Sequence, residues 1–464
     1  MIALTLGELA GIVGGRLAPG TDAATVVTAP AFIDSRKPVP GGLFAAFDGA
    51  NTDGHAFAAA AIEAGAVAML GSRDAGVPGV IVPDVQAALG LLAREVLLRL
   101  PELTVIGLTG SSGKTSTKDL LGQVLAAHGP TVATEGSLNN EIGLPLTVLR
   151  VDEDTRYLVL EIGARGVGHI TRLCRLAPPR VGLVLNVGTA HVGEFGSKEL
   201  TAQAKGELVE VLPKDGLAVL NADDPFVIAM EARTDAPVLT FGDHPSARVH
   251  GIDVSVDDEG RASFTLSAGD VEAPVSLRLV GEHQVANAVA AAAVCLGVGM
   301  AVPQIAAGLS AAEALSGGRM SVEHRADGVI VIDDAYNANP ESMRAGLKAL
   351  ATLARSRPEA RSWAVLGQMA ELGESSAEEH DAIGRLTVRL RVDRLVTVGP
   401  EARMIHAGAS HEGSGGQESQ AVADPDEALA VLRAELRPGD VVLVKASNSV
   451  GLRRVARALL EDAR

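Results

Sequence analysis

The stretch Thr109-Gly110-Ser111-Ser112-Gly113-Lys114-Thr115-Ser116 follows the apolar run Val105-Ile106-Gly107-Leu108. A helical pattern comes next, with Leu120, Leu121, Val124 and Leu125 on one face, and His128-Gly129-Pro130 stops it. A buried strand that turns through a glycine-rich loop into a helix N-terminus aims backbone N–H groups and the positive end of the helix dipole at an anion. Lys114 adds a point charge suited to β- and γ-phosphates, and Thr115 a hydroxyl suited to Mg²⁺. Leu108 stands where the strict G-x4-G-K-[ST] spacing has its first glycine, so the loop is a shortened variant. An ordinary βα turn with a surface lysine is the bland alternative. The agreement of strand, glycines, Lys-Thr pair and helix favours a phosphate cradle over it.

Working outward, 464 residues suggest two to four domains, and 47% hydrophobic with 21% charged residues gives ample core. A net charge of −17 argues against non-specific attraction to nucleic acid or anionic lipid, and 2% aromatics against base-stacking platforms. Cys174 and Cys295 form no spaced pair and read as buried thiols in a reducing compartment. The first residues lack a basic signal-peptide region, and the apolar run 288–303 is short, Ala/Gly-rich and ends in proline. The expectation is a cytoplasmic protein without membrane insertion, working as a monomer, with no nucleic-acid partner.

Before the loop, Thr5 and Glu8 have capping-box spacing and Gly14-Gly15 stops the first helix. Strands near 43–47, 67–70 and 80–82 alternate with helices over 56–64 and 85–100. This predicts a small α/β domain over 1–101 whose loops 34–36 and 48–55 are candidate ligand contacts. In 102–316, continuous apolar runs at 157–162 and 181–187, then 217–220 and 238–241, read as strands of a doubly covered parallel sheet. Residues 248–279 switch to alternation around the turn Asp257-Asp258-Glu259-Gly260, predicting an antiparallel flap, and a helix over 284–296 closes the domain. Ser316-Gly317-Gly318-Arg319 reads as a hinge. In 317–464, strands near 329–332, 363–366, 394–398 and 441–444 alternate with helices, a doubly wound Rossmann-like pattern. Residues 411–420, rich in Gly, Ser and Glu, read as a flexible loop.

Other polar groups stand at strand ends, where an open parallel sheet builds its crevice. Glu161 ends the run after the loop and, with Thr115, could hold Mg²⁺. His191 follows the next strand and Lys205 lies on the helix after it; alone, the histidine is more often a satisfied structural residue and the lysine a surface one. Asp333-Asp334-Ala335-Tyr336-Asn337-Ala338-Asn339-Pro340 follows a buried strand of the third domain, and Lys445-Ala446-Ser447 ends another. With Arg319, these could complete a nucleotide site across a cleft.

Taken together, T-G-S-S-G-K-T-S, L-E-I-G, N-V-G-T-A-H-V-G-E-F-G-S-K-E, A-x-A-K-x-E, G-E-H-Q-V-A-N-A-V-A-A-A, G-R-M-S-V and I-D-D-A-Y-N-A-N-P-E-S-M resemble the Mur ligases of peptidoglycan synthesis over essentially the whole chain. With G-Q-M-A-E-L-G-E and the early D-S-R…P-G-G-L-F-A-A…D-G-H-A-F, the chain is most similar to the branch that joins D-alanyl-D-alanine to UDP-N-acetylmuramoyl-tripeptide. No D-N-P-R motif of the diaminopimelate-adding branch is present, and the N-terminal module argues against folylpolyglutamate synthase. The resemblance implies an ATP-dependent ligase that phosphorylates the tripeptide carboxylate and passes the acyl group to the incoming amine. It implies a UDP-sugar-binding first domain, an ATP-binding second domain and a third domain for the amine substrate. By residue, it implies that the N–H groups from Gly110 to Thr115 and the Lys114 ammonium cradle phosphates, with Thr109 to Ser116 forming the ATP loop. Thr115, Glu161, His191 and a carbamylated Lys205 serve Mg²⁺; Lys114, Lys205 and His191 count as catalytic. Asn287, Arg319, Asp334 and Asn337 bind ATP. Ser35, Arg36, Phe47, Gly49, Asn139 and Asn140 bind the UDP-substrate, and Tyr336, Asn339, Lys445 and Ser447 lie toward the amine. Ser112, usually Asn, and Ala446, usually Gly, depart from the family pattern. A relative adding a single amino acid and a non-catalytic, nucleotide-gated module are the competing readings.

Overall fold

The computed structural model describes residues 1–49, 52–188, 192–357, 359–415 and 418–462. Among them, the strands of the middle of the chain form a nine-stranded sheet. From one edge it runs Val271–Val280, Arg261–Ala268, Val249–Val256, Val238–Phe241, Leu217–Asn221, Val181–Val184, Thr104–Thr109, Tyr157–Glu161 and Thr131–Ala133. The first two pairings are antiparallel and the rest parallel. The expected flap is therefore a continuation of the parallel sheet, and it has a third strand, Val271–Val280. Helix Gln284–Gly297 is not the last cover of this sheet: helix Val302–Ala311 packs on the outermost flap strand. Thr104–Thr109 and Val181–Val184 are neighbours, and the connections leaving their C-terminal ends run to opposite sides of the sheet, one to Thr131–Ala133 and the other to Leu217–Asn221. That is the topological switch point where such sheets bind ligands.

The N-terminal residues build a smaller sheet of Arg16–Leu17, Gly79–Ile81, Ala68–Gly71 and Leu43–Ala45. The Thr5–Glu8 capping box holds: Thr5 caps helix Leu6–Val13, and Gly14 ends it in the left-handed conformation. One hydrophobic core runs without a break from this sheet into the central one, with Leu89, Leu92 and Val96 of helix Val85–Leu98 joined to Leu144, Val148 and Leu173. The first two sheets thus share a core, whereas the C-terminal sheet has its own core on each face. Its order is Ser321–His324, Ile330–Asp333, Val441–Lys445, Ser362–Leu366, Arg394–Val398 and Ser419–Val422, all parallel except the first. Residues expected to be a loop at 411–420 instead include the end of helix Arg403–Glu412 and the start of strand Ser419–Val422. Cys174 and Cys295 are buried, unpaired thiols. Among the described residues, no helix is long and apolar enough to cross a membrane.

Candidate active site

Loop residues 110–113 connect strand Thr104–Thr109 to helix Lys114–Ala126. Gly113 sits at φ +79°, and a Cβ there would lie 2.4 Å from Asn287 Oδ1. Both the backbone conformation and the close approach of Asn287 therefore require glycine. Asn287 is itself held by Gln284 (Nδ2 to Oε1, 2.9 Å) and accepts from Thr117 Oγ1 at 3.3 Å.

The loop is stapled by a residue the sequence reading did not single out. Asn186 Oδ1 accepts from the N–H groups of Ser111 and Ser112, both at 2.9 Å, and its Nδ2 donates to Ser112 O at 3.2 Å. This revises the expected cradle, because the Ser111 and Ser112 N–H groups are spent within the protein. The first helical turn after Gly113 keeps the N–H groups that a helix leaves without intrahelical partners. Asn186 follows strand Val181–Val184 in N-V-G-T, and its place directly opposite the loop was the one available signal. Thr109 is fully buried beneath the loop, and Gly110 O accepts from Lys114 Nζ at 2.6 Å.

Beside the loop, Thr115 Oγ1 donates to Glu161 Oε2 at 2.9 Å, and Asn139 Nδ2 donates to Glu161 Oε1 at 2.8 Å. Glu161 is 1% and Thr115 4% exposed. A buried carboxylate beside a hydroxyl is an oxygen donor pair that fits a hard divalent cation, and the Asn139 Nδ2 donation holds that carboxylate in place. Lys205, 3% exposed, lies close by; burial first, and the Lys114 charge second, push its amine well below the ordinary lysine range. Burial also lowers Lys114, against the pull of Glu161. His191 lies outside the described residues.

The C-terminal sheet closes over this crevice. A cleft of about 430 Å³ is lined from the central sheet by residues 111–116, Asn139, Asn140, Glu161, Asn186, Lys205 and Asn287. From the facing side it is lined by Arg319, Asp334, Tyr336, Asn337, Asn339 and Lys445. Asp334 Oδ2 accepts from Lys445 Nζ at 2.6 Å, a buried ion pair that also fixes Asn337 O (3.0 Å). Burial lowers Lys445, opposed by Asp334. His283, next to this pair, is pushed down to about 4 by burial. Asn339 proves to be the N-cap of helix Pro340–Arg355, and its Nδ2 reaches across to Ser111 O at 3.4 Å. Ser447 hydroxyl accepts from Ala370 N at 2.9 Å and is buried behind the cleft.

A second cavity, about 540 Å³, gathers Ser35, Arg36, Phe47 and Gly49 with Phe57 and Ile142. Arg36 forms a two-pronged pair with Asp34 at 2.8 and 2.9 Å. Asn139 and Asn140 line the main cleft and not this cavity. Asn139 serves Glu161, and Asn140 Oδ1 accepts from Gly143 N at 2.9 Å, turning the chain into helix Gly143–Val148.

Three family models match consecutive parts of the chain: "Mur ligase family, catalytic domain" at residues 31–97, "Mur ligase middle domain" at 108–295, and "Mur ligase, glutamate ligase domain" at 318–448. The chain belongs to the Mur ligase family. Among Mur ligases, it is 52% identical to the UDP-N-acetylmuramoyl-tripeptide–D-alanyl-D-alanine ligase of Mycobacterium tuberculosis, over 100% of this chain and 98% of that one. A crystal structure of MurF from Acinetobacter baumannii superposes with a TM-score of 0.85 at 31% identity, covering 99% of each chain. MurF from Thermotoga maritima, solved in complex with ADP, superposes with a TM-score of 0.78 at 31% identity over 94% of this chain and 98% of that one.

Proposed function

We propose that this Mur ligase uses ATP to join D-alanyl-D-alanine to UDP-N-acetylmuramoyl-tripeptide in peptidoglycan precursor synthesis. The observation that carries the reading is one cleft in which a phosphate loop and the buried Thr115–Glu161 pair face Arg319 and Asp334 from a second sheet. Full-length identity of 52% to a ligase of that name supports it.

A carboxylate is a poor electrophile, and phosphorylation gives it a leaving group. The tripeptide carboxylate oxygen attacks the γ-phosphorus and ADP departs. The D-Ala-D-Ala amine then attacks the acyl carbon, and phosphate leaves with that carboxylate oxygen. Such transfer depends on positioning and charge neutralisation. In this reading the N–H groups after Gly113, Lys114 and Arg319 hold the phosphates, while Asp334 and Asn337 serve the nucleoside. Thr115 and Glu161 would hold Mg²⁺, which when bound would supply neutralisation of phosphate charge. Burial, with the Lys114 charge second, holds the Lys205 amine well below the ordinary lysine range, which favours uptake of CO₂ by its nitrogen, and the carbamate would add an anionic oxygen ligand. The cavity at Ser35, Arg36, Phe47 and Gly49 receives the UDP-sugar, and closure of the third sheet excludes water.

The test is phosphate release from ATP with UDP-tripeptide, offering D-Ala-D-Ala or single amino acids. Release with D-Ala-D-Ala alone is expected. Release with a single amino acid would make the chain a different ligase of the family, and tight ATP binding without amine-dependent turnover a non-catalytic module.

A further inference from the structure

Tyr336 stands where four parts of the molecule meet. The Arg319 guanidinium lies 4.3 Å from its ring centroid, and Arg453 lies at 5.9 Å. Its backbone N–H donates to Gly318 O at 3.1 Å. A Cβ on Gly318 would be 3.3 Å from Tyr336 Cβ and 2.9 Å from Arg453 Nε, so the hinge glycine packs directly on this column. The Tyr336 hydroxyl makes a hydrogen bond across the cleft with Ser137 Oγ, 199 residues away in sequence.

Ser137 is not an arbitrary anchor. Its carbonyl accepts from Asn139 N at 2.8 Å, and Asn139 Nδ2 is the group that donates to Glu161 Oε1. The same segment is tethered from below by buried Lys118, whose Nζ donates to Thr134 O at 2.7 Å and Gly136 O at 3.2 Å. Other contacts between the two sheets end elsewhere: Asn339 Nδ2 donates to Ser111 O of the phosphate loop at 3.4 Å, Gly193 N donates to Glu371 O at 2.9 Å, and Ser356 Oγ to Asp258 O at 2.8 Å. Among the described residues, the Tyr336–Ser137 bond leads, through two further hydrogen bonds, to the buried carboxylate beside the phosphate loop.

We propose that Tyr336 is a positioning residue: by clasping Ser137 when the C-terminal sheet docks, it orders residues 134–140 and so orients Glu161 for phosphoryl transfer. The clasp makes a competent carboxylate conditional on closure, while the ring of Tyr336 keeps Arg319 in place for the nucleotide. This rests on the ligase reading for its kinetic consequence, but not for its structural one.

The experiment uses the full-length protein and ADP as probe. Tyr336→Phe keeps the ring under Arg319 and removes the hydroxyl; Ser137→Ala removes the other partner; Ser137→Thr restores a hydroxyl. In wild type, saturating ADP slows amide exchange over residues 134–140. In Tyr336→Phe and Ser137→Ala that slowing is lost, although ADP affinity stays within about twofold, because removing one hydrogen bond does not touch the ring stacking. The kcat for ligation falls roughly tenfold in each, with KM for ATP little changed, and the double variant is no worse than either single. Ser137→Thr recovers both readouts. Asn139→Ala retains the exchange slowing but loses kcat, since it cuts the path beyond the clasp. Wild-type exchange protection in Tyr336→Phe, or multiplying losses in the double variant, overturns the proposal. If the wild type binds ADP yet ligates nothing, the ligase reading fails while the exchange data still decide the clasp.

Discussion

The staple on the phosphate loop offers the sharpest perturbation. Asn186→Ala removes the acceptor of two loop N–H groups and the donor to Ser112 O. The consequences are unequal. Ser111 N–H keeps a main-chain acceptor, Asn186 O at 3.1 Å, whereas the truncation leaves Ser112 N–H without the side-chain oxygen that accepts from it. At about 0.5–1.5 kcal/mol per net hydrogen bond, the loss is about 1–3 kcal/mol, divided between stability and loop order. Loop order is what the nucleotide reads, so ADP affinity should fall about tenfold in calorimetry, with a modest fall in melting temperature. Asn186→Asp separates the two contributions. Its carboxylate still accepts from both N–H groups, so stability stays nearer wild type. It places a negative charge beside the phosphates, so ADP affinity falls further than in the alanine variant. Asn186→Ala with unaltered affinity and melting temperature would refute the reasoning, as would Asn186→Asp binding ADP better than Asn186→Ala.

Gly113→Ala should cost about 2 kcal/mol from the positive φ alone and displace Asn287, abolishing measurable ADP binding by calorimetry. Lys205→Ala should lose ligation, and added short carboxylic acids should partly restore it; full activity without additive would remove the carbamate from the account. His283 has a folded value of about 4 against 6.5 for the free side chain. The unfolded chain therefore binds the extra proton first, and stability is lost as pH falls from 6.5 towards 4. The ring is only part-buried, so about 3 kcal/mol is an upper bound on that loss. Denaturant titrations of wild type and His283→Asn should diverge across that window, the variant having the flatter pH dependence.

The central strands were legible because a strand buried on both faces of a parallel sheet reads as an unbroken apolar run, as Tyr157–Glu161 does. Ser321–His324 was not, because this antiparallel edge strand carries Ser, Glu and His with half its length exposed. Helix Arg403–Glu412 hid beside a Gly- and Ser-rich stretch whose composition alone suggested a loop. Within the site, Glu161 stood out as a charge at the end of a buried apolar run, at the crevice end of the sheet, whereas Lys205 alone read as a surface lysine and gained a role only through the family resemblance. Asn186 and Ser137 are common polar residues whose meaning comes only from what faces them, Ser111, Ser112 and Tyr336, across the fold. Asn139 and Asn140, adjacent in sequence, do different work, one on Glu161 and one at a helix start. No periodicity separates such neighbours.

Ligation by this route passes through an acyl phosphate, and oxygen labelling reads it directly. UDP-tripeptide carrying ¹⁸O in its terminal carboxylate is incubated with ATP and D-Ala-D-Ala, and the released phosphate is weighed by mass spectrometry. Transfer through an acyl phosphate predicts one ¹⁸O in each phosphate released during ligation. Phosphate free of ¹⁸O, with ligated product formed, would contradict it.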